Sequence, residues 1–166
     1  FHRHSDRVRM ANIAQIANVL QSMILTDTNG KGHMVLTPTY HVFRMYQPFQ
    51  DATYLPLDVK CDSMKVRDNR TIPTVSASAA KTKDGNMVIS LANVSLDKAQ
   101  NIDIDIENAG IKNINGEILT SKNIGDYNDF NNPDVVKPVP FKDVKVKRNT
   151  LKVKIPAKSI VVLNIK

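Results

Sequence analysis

The apolar positions of this chain fall into two regimes, and the change comes near residue 50. Before it they gather in runs; after it they alternate with polar residues or form short blocks between turn signals. The first run, Arg7–Asp27 (RVRMANIAQIANVLQSMILTD), is the most apolar stretch of the protein. It nonetheless carries Asn12, Gln15 and Asn18. A solvated face would hold Lys or Glu, so amides in such company point to internal hydrogen bonding or ligand contact. Periodicity leaves two forms open. A helix places Asn12, Gln15, Asn18 and Ser22 on one stripe; a strand puts Val8, Met10 and Asn12 on one side and then hands over to a loop. Ser5-Asp6 as a cap and the plain propensities favour the helix. Either way, so apolar a start is expected to be the torn edge of a larger body that buries it.

Thr37-Pro38 then opens a better-marked helix running to about Phe49, with Thr37 as N-cap and Pro38 at the first helical position, where its missing N–H costs nothing. Ala52–Cys61 alternates but contains Pro56, which predicts an edge strand or a bulge. Asp62–Pro73 is polar and reads as a loop. Val75–Ala80, a Lys83-Asp84-Gly85-Asn86 turn and Met87–Val94 form a hairpin signal. Ala99–Glu107 contains IDIDIE, with Ile102, Ile104 and Ile106 on the inward side and Asp103, Asp105 and Glu107 on the outward side. Ile111–Thr120 carries Gly116 as a bulge or turn candidate. Asn123–Pro140 is a long loop, and Lys142–Val146, Leu151–Ile155 and Ser159–Ile165 close the pattern, the last apolar on both sides as in a central strand. Roughly eight short strands without a long helix predict a mainly β fold, an antiparallel β-sandwich of jelly-roll-like type.

Composition narrows the functions. The 166 residues suit one domain, or one domain with a piece of another, and an apolar fraction of 42% supports a core. No run reaches the roughly 18 to 20 apolar residues of a membrane span. The net charge of +7 raises nucleic acid as a partner. Residues 1–70 hold nine Lys+Arg against six Asp, and residues 71–166 hold fourteen against ten acids, so the surplus reads as spread rather than gathered. With aromatics at 5% and no Trp, a solvated basic surface is the stronger reading and neither nucleic acid nor membrane is expected. Cys61 is the single cysteine, which leaves no internal disulfide and no cysteine metal site. His2 and His4 have the i,i+2 spacing of a strand-borne metal pair but no third ligand nearby, and a polar helix end accounts for them better. The alternating acids of Asn101–Glu107 fit a solvated sheet face better than calcium, which needs oxygens converging on one point. No metal or cofactor is expected.

Four segments carry a family resemblance: DRVRMANIAQIANVLQSMI (Asp6–Ile24), LTPTYHVFRMYQPF (Leu36–Phe49), NDFNNPDVVKPVPF (Asn128–Phe141) and IPAKSIVVLNI (Ile155–Ile165). In colinear order they resemble the C-terminal third of the α-L-arabinofuranosidases of glycoside hydrolase family 51. The resemblance implies a (β/α)8 barrel followed by a β-sandwich, releasing terminal arabinofuranosyl groups of arabinan or arabinoxylan with retention. Residues 1–50 would then be the last strand-helix unit of the barrel, with Arg7–Ile13 as its eighth strand, in place of the helix that propensity favours. Residues 51–166 would be the sandwich. The family's catalytic pair is two glutamates on the fourth and seventh barrel strands, the first preceded by Asn. This chain has only Glu107 and Glu117, both in the sandwich part, and no Asn-Glu dipeptide. No catalytic residue is therefore expected here, and the fragment is expected to be inactive by itself. Gln15 matches the family's glutamine at the top of the eighth strand, which hydrogen-bonds the sugar; the alternative is a buried structural amide. Where the family usually has a proline a few residues on, this chain has Ser22 or a neighbour. The resemblance also implies a homo-oligomer and an arabinose-containing polysaccharide as partner of the parent enzyme. Its compartment, cytoplasmic or exported, stays open. The competing reading is a free-standing carbohydrate-binding or structural sandwich module, against which stands the lack of an aromatic strip: beyond residue 70 only Tyr127, Phe130 and Phe141 are aromatic.

Overall fold

The computed structural model describes residues 1–20, 22–107 and 110–166. In chain order its strands are β1 (Ile24–Thr26), β2 (Met34–Leu36), β3 (Thr53–Leu55), β4 (Ser63–Lys65), β5 (Thr71–Pro73), β6 (Val75–Lys81), β7 (Met87–Asn93), β8 (Gln100–Asp105), β9 (Ile114–Thr120), β10 (Val139–Phe141), β11 (Val144–Lys147), β12 (Thr150–Ile155) and β13 (Ser159–Ile165). The α-helix α1 (Pro38–Met45) lies between β2 and β3.

A six-stranded sheet in the order β10-β9-β13-β7-β6-β3 faces a three-stranded sheet in the order β11-β12-β8, and their strands pair antiparallel. The expected sandwich is therefore present. Its core is where the inward positions of both sheets meet: Ile89, Leu91, Val161 and Leu163 against Leu151, Val153, Ile155 and Ile106. Leu151, Ile155, Val161 and Leu163 are wholly shielded from solvent. Burial at this level is worth roughly 1.5–3 kcal/mol per large aliphatic side chain.

Local chemistry sets the hairpins. Between β6 and β7 the pair Lys81↔Met87 closes on a turn in which Gly85 adopts φ +80°, and the Thr82 N–H donates to the Asn86 carbonyl. On the three-stranded sheet Ile106 is buried while Asp103, Asp105 and Glu107 face water, as the IDIDIE alternation predicts.

The six-stranded sheet is covered on its second face as well. Met45 of α1 and Val136 pack on Ala80, Val88, Leu119 and Val162. This is why β13 reads Ile-Val-Val-Leu with no alternation: Val161 and Leu163 point into the sandwich while Val162 points beneath the helix. The helix begins as predicted, with the Tyr40 N–H donating to Thr37 Oγ1 at 3.4 Å and Pro38 in the first turn. It ends at Met45, and a separate 3-10 turn, Gln47–Phe49, carries the chain on.

Among the described residues Arg7–Ile13 forms neither helix nor strand, and no strand pairs with it to complete a ladder. Two expectations fail. Asp62–Pro73 is not simply a loop: β4 and β5 pair across it, with Asp68 and Asn69 at positive φ in the connection. Gly116 is no bulge, since the register runs unbroken through Gly116↔Phe141 and Gly116↔Leu163. A Cβ there would lie 2.9 Å from Leu163 Cδ2 and 3.2 Å from Phe141 Cβ. Close packing of three strands, not a turn, requires the glycine.

Candidate functional site

Gln15 is exposed, and its side chain has no hydrogen-bond partner among the described residues. The next residues are pinned. The Met23 and Ile24 N–H groups donate to the Ile16 carbonyl at 3.0 and 3.1 Å, and the Asn18 N–H donates to the Ile24 carbonyl at 3.1 Å. Asn18 takes a left-handed φ of 57°, accessible to Asn at modest strain. Its amide brackets Thr26: Oδ1 accepts the Thr26 N–H and Nδ2 donates to Thr26 Oγ1, both at 2.8 Å. Asn18 is thus structural. Asn12 is exposed, with its amide against Met10 Sδ at 3.4 Å.

Ser22 is buried, its hydroxyl donating to the Ile24 carbonyl at 3.1 Å, and Thr37 Oγ1 donates to the Ser22 carbonyl at 2.6 Å. The loop that presents Gln15 is therefore tied to the N-terminus of α1. Around it the chain exposes Met10 (76%), Ile16, Val19 and Leu20 (86%). A shell of large apolar side chains open to solvent marks a surface that packs against something else.

The histidines at the start do not make a metal pair. His2 and His4 lie in a 3-10 turn, and the His2 ring stacks on Phe49 with centroids 4.6 Å apart. Burial, then the charge of the amino terminus, holds the His2 pKa below its usual value. No group of three or more His, Cys, Asp or Glu that could hold a metal occurs among the described residues.

Of the two glutamates, Glu117 on β9 accepts Arg44 Nη2 on both oxygens, at 3.1 and 3.0 Å, while Glu107 lies exposed just beyond β8 in the opposite sheet. They do not converge, and one is already neutralised. The sequence could have signalled the Arg44–Glu117 clamp: Glu117 alternates with the core positions Ile114 and Ile118 and so shares a face with Leu119, where an acid needs a partner.

Sequence patterns also missed His41. It is buried on α1, with neither ring nitrogen hydrogen-bonded. Burial, then the Arg44 guanidinium, pushes its pKa down, against the opposing pull of Asp134 and Glu117. The buried Asn128 clamps the long loop to the first part of the chain. Its amide donates to the Leu36 and Val136 carbonyls at 2.8 and 2.9 Å and accepts the Val136 N–H at 2.7 Å. Tyr127 and Phe130 on this loop are exposed.

Between the sheets a cleft of about 730 Å³ runs from Leu55–Lys60 to β8, walled by Leu57, Ile89, Leu91, Ile102 and Ile104. Asp58, Lys60, Asp103, Asp105 and Glu107 line it as well.

The family model described as the α-L-arabinofuranosidase C-terminal domain matches residues 1–159. A protein of Bacteroides ovatus named intracellular exo-α-L-arabinofuranosidase is 58% identical over 165 residues, covering 99% of this chain and 32% of its own length. The crystal structure of a family 51 arabinofuranosidase from Xanthomonas axonopodis pv. citri superposes with a TM-score of 0.93 at 44% identity, over 100% of this chain and 33% of that one. A family 51 α-L-arabinofuranosidase of Bifidobacterium longum shares the fold at 17% identity with a TM-score of 0.86, over 99% of this chain and 32% of that one. The chain thus spans about a third of the length of the relatives it matches. It belongs to the α-L-arabinofuranosidase C-terminal domain family.

Proposed function

We propose that the chain is the C-terminal part of a retaining α-L-arabinofuranosidase that removes terminal arabinofuranosyl groups from arabinan or arabinoxylan. Residues 1–50 are the last strand-helix unit of its (β/α)8 barrel, and residues 51–166 are its sandwich domain. The observation that carries this is the 58% identity, over 99% of the chain, with a protein named as an exo-α-L-arabinofuranosidase. The exposed apolar side chains of Met10, Ile16 and Leu20 fit a face turned toward the remainder of a barrel.

Retaining hydrolysis needs two carboxyl groups about 5 Å apart, one protonating the leaving oxygen and the other attacking the anomeric carbon. Glu107 and Glu117 sit on different sheets, so both groups come from the remainder of the enzyme. This chain contributes position. The α1–sandwich contact, with Met45 on Val162 and Leu119 and Arg44 on Glu117, holds the final barrel unit in place. Gln15 then presents an amide that donates to one sugar hydroxyl and accepts from its neighbour.

The 166-residue chain is expected to leave a chromogenic arabinofuranoside intact while the full-length protein cleaves it; hydrolysis by the chain alone would overturn the assignment. In the full-length protein, Gln15→Ala should lower kcat/KM about 10- to 100-fold, the loss of one or two hydrogen bonds to substrate. An unchanged kcat/KM would remove Gln15 from the sugar site.

A further inference from the structure

The positive charge is gathered, contrary to what halving the chain implies. Residues 142–154 hold six cations and one acid in a chain whose net charge is +7. The fold lays most of them on the outer face of the three-stranded sheet, where Lys145, Lys147, Lys152 and Lys154 are all exposed. Register places Lys145 directly opposite Lys152, and Lys154 opposite Asn101. Like charges facing each other across a ladder destabilise it.

Two of the acids on this face are already engaged. Lys152 Nζ holds Asp103 at 2.7 Å, and the Thr150 hydroxyl donates to Asp105 at 2.6 Å. Among the described residues, Lys142, Lys145, Lys147, Arg148 and Lys154 have no acid within ion-pairing distance. Lys142, Lys145, Lys154 and Asn101 line a shallow groove of about 460 Å³, together with Asp143 and the Lys152–Asp103 pair. Arg148 occupies the two-residue turn between Lys147 and Thr150 with φ +55°, a conformation that such turns require and that Gly or Asn adopts far more easily.

We propose that this face binds an anionic glycan through its uronate carboxylates. Lysines stand about 7 Å apart along each strand and about 5 Å apart across them, so one chain can meet several at once. Each ammonium makes a point contact of the kind Lys152 makes with the Asp103 carboxylate, and Asn101 offers an amide to a hydroxyl. No aromatic ring lines the groove, which disfavours stacked bases. The choice of a glycan rests on the arabinofuranosidase reading: the face would hold uronate residues attached to, or neighbouring, the polymer whose neutral arabinose groups the barrel trims.

Affinity electrophoresis of the full-length protein tests this, with gels containing polygalacturonate, methyl-esterified polygalacturonate or duplex DNA. The unesterified polymer should retard the protein and the esterified one should not. The combined substitution Lys145→Gln, Arg148→Gly, Lys154→Gln should weaken retention at least tenfold with no fall in Tm, since Gly relieves the strained turn. Equal retardation by the esterified polymer, stronger retardation by DNA, or retention unmoved by the triple substitution would each overturn the proposal. Hydrolysis of a chromogenic arabinofuranoside by the unaltered protein reports on the parent activity separately. An active protein that ignores polygalacturonate sinks only this site; an inactive one that still binds it sinks only the arabinofuranosidase reading.

Discussion

The two sheets of the sandwich are built from the same antiparallel ladders, yet they carry opposite kinds of sequence. The six-stranded sheet is buried on both faces, by the other sheet and by α1, and its central strand β13 is a block of Ile, Val and Leu. The three-stranded sheet is covered on one face only, and β8 and β12 alternate between aliphatic and polar or charged residues from Asn101 to Asp105 and from Thr150 to Ile155. Period-2 alternation therefore reports how many faces are covered rather than whether a segment is a strand. It also assigns roles. The doubly buried sheet is the mechanical link to residues 1–50, and the singly buried one is free to present chemistry to solvent.

The sharpest test of this contrast places one residue type on each outer face. Val162→Asp puts a carboxylate beneath α1 and should destabilise the protein by more than about 3 kcal/mol in urea denaturation, or prevent folding. Lys154→Asp, on the outer face of β12, should change stability by less than about 0.5 kcal/mol. Comparable losses would mean that the two faces are not differently covered. Gly116→Ala should cost about 1–3 kcal/mol by forcing Leu163 or Phe141 aside; a neutral result would show that β9 has slack against its neighbours.

The smallest effect is a pH slope. His41 has a lowered folded pKa, so the unfolded chain takes the proton more readily. Its contribution is fully present above the unfolded value of 6.5 and is lost as pH falls below that toward the folded value. Stability measured from pH 7.5 downward should decline in this window, and His41→Gln should flatten the decline. His2 shifts in the same direction, so the difference between the two proteins is the quantity to measure. An identical slope in both would place the neutral histidine elsewhere.

Where a stretch's partners lie within the chain, its pattern is readable. Thr37-Pro38 caps a helix, Lys83–Asn86 turns a hairpin and Ile160–Leu163 fills a central strand, because caps, turns and two-sided burial each leave local marks. Arg7–Ile13 was not readable in this way. Its apolar residues find no pairing strand among the described residues, and neither helix nor strand forms around Met10. Gly116 misled for another reason: a strand glycine serves a bulge or a close approach equally well, and only the positions of Leu163 and Phe141 distinguish them. The candidate site was legible only as a resemblance. Resemblance singled out Gln15, but its exposure, and the Asn18–Thr26 bracket beside it, come from the fold. The lysine face was hidden because counting charge over long stretches averages away a cluster that strand register brings together.

The position of β13 has a consequence for synthesis. It lies between β7 and β9, yet follows every other strand of its sheet in chain order. While a ribosome is still making the chain, β6–β7 and β9 wait with unpaired edges that no local contact can close. Pairing across such sequence separations is slow, and open edges invite association with other nascent chains. The large sheet can therefore be completed only after Ser159–Ile165 has left the exit tunnel. Until then the large sheet exists as two halves, β3-β6-β7 and β9-β10, that only β13 can join.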